Sequence, residues 1–226
     1  MCNHYRADLK KLGLEMEIRG FEEFSETKIR MRLQDIRDDM FPDRPGLVCV
    51  RNHNGAITPA SMRWGFPPLV DKETGKAKGP PITNVRNTAS GFWRPWLNPE
   101  HRCIVPATSF AEPYGKGKGD AWFERADAGL WAFAGIWRPW TGTRGTKADP
   151  VEGEHKLFSF LTTEPNAVVA PIHPKAMPVI LPPEDWDIWL TAPAEIALTM
   201  QRPAPDNFLR LINPLESQTT GSGTIE

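Results

Sequence analysis

Two nucleophiles meet on one residue only at a chain end. The sequence opens MCNHYR, with Cys2 directly behind the initiator methionine. Removal of Met1 would leave Cys2 with a free α-amine and a thiol, whose ordinary pKa values of about 8 and about 8.5 leave both partly available near neutral pH. The amine can condense with an aldehyde to a Schiff base. The thiol, two atoms away, can then close on the imine carbon as a five-membered thiazolidine. An internal cysteine cannot do this, because its nitrogen is tied up in an amide. The opposing reading is a chance cysteine at a frayed end, and position alone leaves both open.

Three further stretches carry residue types suited to proton transfer or anion recognition. Glu112, in PATSFAEPY, ends an apolar run beside aromatic residues. Desolvation there would raise its pKa toward neutrality and suit it to general acid or base work, while a plain surface carboxylate in a turn remains open. His173 lies in PIHPKAMP, where prolines would hold an imidazole rigidly; a hydrogen-bonded structural histidine is the alternative. In TNVRNT, Asn84 and Arg86 are two apart and share a face if the chain is extended. Arg86 could fork onto phosphate oxygens while Asn84 bonds a sugar or carbonyl. Trp64, in RWGFPP, could offer a flat surface for a base, although most of the nine tryptophans must be core.

The elements that must position these residues are short. The 23 prolines are about twice the usual share and, with 18 glycines, argue for brief strands and many turns. Residues 7–40 read as helix interrupted near Gly20. A turn over 41–46 precedes a strand over 47–51, and His53-Asn54-Gly55 closes a hairpin, since Asn-Gly supplies the positive φ such turns need. A polar loop runs from 70 to 81. Strand signals follow in HRCIVPATSFAEPY, AWFERAD, LWAFAGIWRPW and KLFSFLTTEPN. Prolines 171, 174 and 178 exclude a regular helix or central strand around His173. PPEDWDIWL reads as a helix with Trp186, Trp189 and Leu190 on one face. Together these give a single α+β domain over 1–205, a curved, partly closed mixed or antiparallel sheet flanked by helices, and a disordered tail over 206–226.

Composition excludes several classes. The formal net charge is −1, so bulk charge does not draw this chain to nucleic acid; any such binding needs a local patch. No apolar run approaches the roughly 18 residues that span a bilayer, and no apolar leader opens the chain. Cys2, Cys49 and Cys103 lack metal-ligand spacing and suit free thiols in a reducing cytoplasm.

The order of these stretches carries more than any of them alone. Cys2, RWGFPP, TNVRNT, RCIVPATSFAEPY and IHPKAMPVIL, in that sequence, resemble the SOS-response-associated peptidase family from Cys2 to about Leu190. The resemblance implies a protein that shields abasic sites in single-stranded DNA by covalent cross-linking, an opened abasic deoxyribose being an aldehyde. It implies Cys2 as nucleophile, Glu112 assisting sugar opening and proton transfer, His173 assisting Schiff-base chemistry and reversal, and Asn84 positioning Cys2 or the sugar. Arg86 would bind phosphate, Trp64 would stack where the strand kinks, and Pro42 would line the site. Strand cleavage through the Schiff base, a lyase reaction, would be suppressed by ring closure, and the peptidase label would reflect self-removal of residues before the cysteine. The expected protein is a monomer with single-stranded DNA as partner, and with no cofactor, metal or membrane. Three positions depart from the family pattern. Asn3-His4 replaces Gly-Arg, leaving His4 as the DNA-facing residue there. Thr88 stands where a glutamate would support a salt bridge. Lys175 takes the place of an arginine, as a point charge without a fork. Two other functions fit the same residues: a thiol peptidase using Cys2, His173 and Glu112 on protein substrates, or a non-enzymatic reader of single-stranded or modified DNA using Trp64 and Arg86.

Overall fold

A computed structural model describes residues 2–213, apart from 20, 22, 23, 34, 72, 75, 76, 116, 117 and 147. The chain begins with β1 (His4–Arg6), then α1 (Leu9–Ile18) and α2 (Glu26–Arg32). Asp8 and Ser25 start the two helices by accepting the backbone N–H groups of Lys11 and Lys28, which satisfies donors that a helix start leaves orphaned. The helices touch closely at Gly13, where a Cβ would lie 2.6 Å from Glu26 N. Leu9, Leu12, Met16 and Ile29 face the core, as expected of helix in this segment; Gly20 itself lies outside the described residues.

Next come β2 (Asp39–Met40), β3 (Pro45–Arg51) and β4 (Ile57–Trp64). The β3–β4 turn is the expected hairpin, with Gly55 at φ +79°. The polar loop after β4 contains a small hairpin, β5 (Leu69–Val70) with β6 (Ala77–Lys78), and leads to β7 (Asn84–Val85). Strands β8 (Arg102–Ala107), β9 (Ser109–Pro113), β10 (Asp120–Arg125), β11 (Trp131–Gly145) and β12 (Pro150–Thr163) form the body of the sheets. The proline-rich segment gives turns and two minimal strands, β13 (Met177–Pro178) and β14 (Ile180–Leu181). After it come α3 (Trp186–Thr191), α4 (Ala194–Ala197) and β15 (Leu209–Leu211).

Strands β12, β4, β3, β8 and β11 pair in that order, and β11 pairs back onto β12, so the ring closes into a five-stranded barrel. It is mixed: β12 and β4 run parallel, while the other pairs are antiparallel. The sequence suggested partial closure; the long β11 and β12 complete it, leaving no edge within the ring. Aromatic rings fill the core. Phe133 and Phe160 stack at 4.5 Å, and Tyr5 meets Trp64 at 5.0 Å edge-on, each such pair adding about 1 kcal/mol beyond its buried area.

A second sheet, β15-β10-β9-β1-β2, lies beside the barrel. Its edge strand β15 falls where the sequence suggested a disordered tail. Leu209 and Leu211 pair with Arg125 and Phe123, and the Asn213 side chain accepts from Trp122 N and donates to Asp120 O. The fold therefore extends through Asn213; residues 214–226 lie outside the described ones. No helix among the described residues is long and apolar enough to cross a membrane.

Candidate functional site

Antiparallel pairing of β1 with β9, His4 opposite Ala111, carries Cys2 back beside Glu112. Parallel pairing of β7 with β12, Asn84 opposite Phe160, brings Asn84 to the same place. Its amide donates from Nδ2 to the Cys2 carbonyl at 2.9 Å and to Thr83 Oγ1 at 2.7 Å. Asn84 Oδ1 is buried with no partner among the described residues, so it can accept from an incoming donor. The Cys2 thiol is buried and donates to the His4 carbonyl at 3.6 Å. Burial, with the charge of Glu112 adding to it, holds that thiol well above its ordinary pKa and hence neutral.

Glu112 is 1% exposed. Burial pushes its pKa up to about 7; the positive amino terminus opposes this and the charge of Asp120 adds to it. His173 Nε2 lies 3.9 Å from Glu112 Oε2. The imidazole is aimed by its own loop: Nδ1 is 2.7 Å from the Ala176 carbonyl, a closer contact than the 3.3 Å to Ala176 N–H. A carbonyl only accepts, so Nδ1 carries the proton in the neutral ring, and the Nε2 lone pair faces Glu112. A carboxyl with a pKa of about 7 thus stands beside Cys2, with an imidazole next to that carboxyl.

Arg86, half exposed, ion-pairs with Glu164 at 3.6 Å and donates to the Lys175 carbonyl at 3.4 Å. Gln201 fastens this segment. Its amide donates to the carbonyls of Arg86 and Thr162 at 2.8 and 3.0 Å, and its Oε1 accepts from Thr88. Glu164, Gln201 and the aspartates near His4 are not singled out from sequence, because nothing local marks a partner 35 to 116 positions away. Lys175 is exposed next to Arg86. Pro42, with Phe41, Arg44 and Arg63, lines a cavity of about 670 Å³.

Two sequence expectations read differently in three dimensions. Trp64 offers no surface to a base: it is 0% exposed, packs against Tyr5, Phe158 and Phe160, and donates from Nε1 to the Thr83 carbonyl. The period-2 alternation of β4 turns its ring into the barrel. The exposed ring at the rim is instead Phe41, at 46%. His4 does not reach outward either; its two nitrogens face Asp39 and Asp120. Among the described residues, no group of three or more His, Cys, Asp or Glu side chains could hold a metal ion.

The family model described as SOS response associated peptidase (SRAP) matches residues 1–214. No curated protein matches the chain. Among solved structures, a protein from Bordetella bronchiseptica has 24% identity and a TM-score of 0.66, covering 94% of this chain and 100% of its own. A protein from Bacteroides thetaiotaomicron has 21% identity and a TM-score of 0.66, covering 94% of this chain and 92% of its own. A phage-related protein from Bordetella bronchiseptica has 18% identity and a TM-score of 0.60, covering 96% and 94%. At these identities the likeness is one of fold.

Proposed function

The chain belongs to the SOS response associated peptidase family, and from that premise we propose that it captures abasic sites in single-stranded DNA covalently through Cys2. The observation that carries this reading is the convergence of Asn84 and Glu112 on Cys2, with His173 next to Glu112, from three separate parts of the chain.

Hydrolytic removal of Met1 frees the Cys2 amine. The amine adds to the aldehyde carbon of the opened sugar, its proton passing to the oxygen, and protonated Glu112 delivers a proton to the departing hydroxyl, so that water leaves and a protonated imine forms with Glu112 as carboxylate. The thiol sulfur then adds to the imine carbon. Its proton passes to the Glu112 carboxylate, and the nitrogen keeps the proton it already carries as the neutral N–H of the ring amine. The sum is aldehyde plus amino-thiol giving thiazolidine plus one water, with Glu112 restored. A carboxyl with a pKa near 7 can act in both directions at neutral pH. A thiol kept neutral by burial reacts only as its proton is taken, which ties ring closure to Glu112. His173 can exchange protons with Glu112 across their 3.9 Å separation. Arg86 and Lys175 supply positive charge for the flanking phosphates, and Asn84 Oδ1 accepts a hydroxyl of the sugar.

Intact mass spectrometry before and after mixing with an abasic single-stranded oligonucleotide tests this. The expected spectrum is chain without Met1 converting to chain plus oligonucleotide minus one water, and Cys2→Ala removes the adduct. A preparation verified to lack Met1 that forms no adduct overturns the reading.

A further inference from the structure

His4 is held between two strands other than its own. Nε2 lies 3.1 Å from Asp39 Oδ1 on β2, and Nδ1 lies 3.6 Å from Asp120 Oδ2 on β10. Its ring stacks on Phe41 at 4.1 Å and meets the edge of Trp122 at 4.6 Å, leaving the side chain 16% exposed. A carboxylate only accepts, so the 3.1 Å hydrogen bond to Asp39 needs a proton on Nε2, and the 3.6 Å contact with Asp120 is an ion pair only with a charged ring. Arg6, from the same strand, adds a second tie to Asp39 at 3.1 Å and lays its guanidinium over Trp122 at 4.0 Å. β1 has three residues, and Cys2 stands two positions ahead of His4. Side-chain ties at this point therefore decide how firmly Cys2 is held against Glu112.

The same clasp touches the charge balance of the site. Asp120 lies on the strand next to β9, opposite Pro113, and its negative charge acts on Glu112. Among the described residues, the groups facing Glu112 include Asp120 on β10, the Cys2 thiol and His173 from the loop after β12. Those facing His4 are Asp39 and Asp120, with Arg6 acting through Asp39.

We propose that His4 is a positioning residue for the Cys2–Glu112 pair: clasped as an imidazolium between Asp39 and Asp120, it fixes β1 and offsets the negative charge that Asp120 presents to Glu112. The role rests on the cross-linking function proposed above. Without that cation, Asp120 acts on Glu112 unopposed, and the carboxyl holds its own proton more tightly.

The test is a carbon-13 NMR titration of the Glu112 carboxyl in the full chain, with the adduct rate followed over the same pH range. Asp120→Asn is expected to lower the Glu112 midpoint and His4→Gln to raise it, each by about half a pH unit for charges at this separation. His4→Arg, which keeps the cation, is expected to hold the midpoint near that of the wild type. The pH profile of adduct formation moves in the same directions. A purely structural His4 would slow the reaction in His4→Gln without moving either midpoint. Midpoints that coincide with the wild type, or move the opposite way, overturn the proposal. Absence of any wild-type adduct removes the cross-linking function alone, because the carboxyl titration still judges the clasp. Asp120 is 44% exposed, so Asp120→Asn supplies the reading even if His4→Gln fails to fold.

Discussion

Glu112 keeps its proton to a higher pH than an ordinary carboxyl because β9 buries it, and this has a thermodynamic signature. In the unfolded chain its pKa returns to about 4.3. Between that value and about 7 the folded state binds more protons than the unfolded one, so the contribution of Glu112 to stability is fully present below the lower value. It is lost as pH rises through the folded pKa. Glu112→Gln removes this dependence, and the variant should gain on the order of 2–3 kcal/mol relative to wild type between pH 4.5 and pH 8. Urea denaturation at the two pH values checks it. The same variant should form adduct roughly 100-fold more slowly, since proton transfer is lost while shape is kept. At this scale, sequence reached Cys2, Asn84, Glu112 and His173 because each stands in a stretch with a chemical reason to matter. It misplaced Trp64, because a tryptophan beside glycine and proline reads alike whether its strand turns it inward or outward. It missed Asp39, Asp120 and Glu164, because carboxylates are common and their partners lie on strands far along the chain.

The barrel strands owe their fit to a few tight points. Gly135 on β11 lies against Cys103, and a Cβ there would come within 2.6 Å of its Sγ and 2.9 Å of Val105 Cγ2. Gly135→Ala should therefore cost about 1–3 kcal/mol in denaturant melts, with Cys103→Ala restoring part of the loss. The turn into β3 is fastened differently. Asp43, at φ +64°, takes Arg144 Nε at 2.8 Å and Gly145 N at 3.0 Å, which pins the loop carrying Pro42 to the β11–β12 hairpin. Because the Arg144 side chain is 5% exposed, Asp43→Ala leaves a buried guanidinium without its counter-charge. The expected loss is about 3 kcal/mol, read as a lower Tm. Asp43→Asn, which tolerates the left-handed conformation and still accepts hydrogen bonds, should lose less. Much at this scale was legible. The Asn-Gly hairpin, the division of the helical segment into α1 and α2, and the face of Trp186, Trp189 and Leu190 all follow from local chemistry. Closure of the ring was not, since β12 meets β4, β7, β11 and β13 along one strand and no local period encodes four partners. Nor was β15, whose three residues are too short to show alternation.

Taken whole, the molecule is nearly neutral, with a formal charge of −1, and Arg6, Arg63, Arg86 and Arg144 each face a neighbouring carboxylate. Long-range attraction to DNA is therefore weak, and affinity for single strands should depend on few phosphate contacts. Fluorescence anisotropy with an unreactive single strand should give a log-log salt slope of about −1 to −2, and Arg86→Ala should flatten it by about 0.7. Glu164→Gln, which releases Arg86 from its ion pair, should tighten binding a few-fold in the same assay.

β1 is an interior strand of its sheet, between β9 and β2. During synthesis it leaves the ribosome well before β9, which follows it by roughly a hundred residues. At translation rates of about 5–20 residues per second, the amino end waits roughly 5 to 20 s for the neighbour that will cover it. Under the cross-linking proposal, an exopeptidase that clips the residue ahead of Cys2 would have that interval in which to act on a loose end. On that proposal, the arrival of β9 would fold the newly bared amine into place alongside its carboxyl partner, and the order of emergence would itself separate maturation from chemistry.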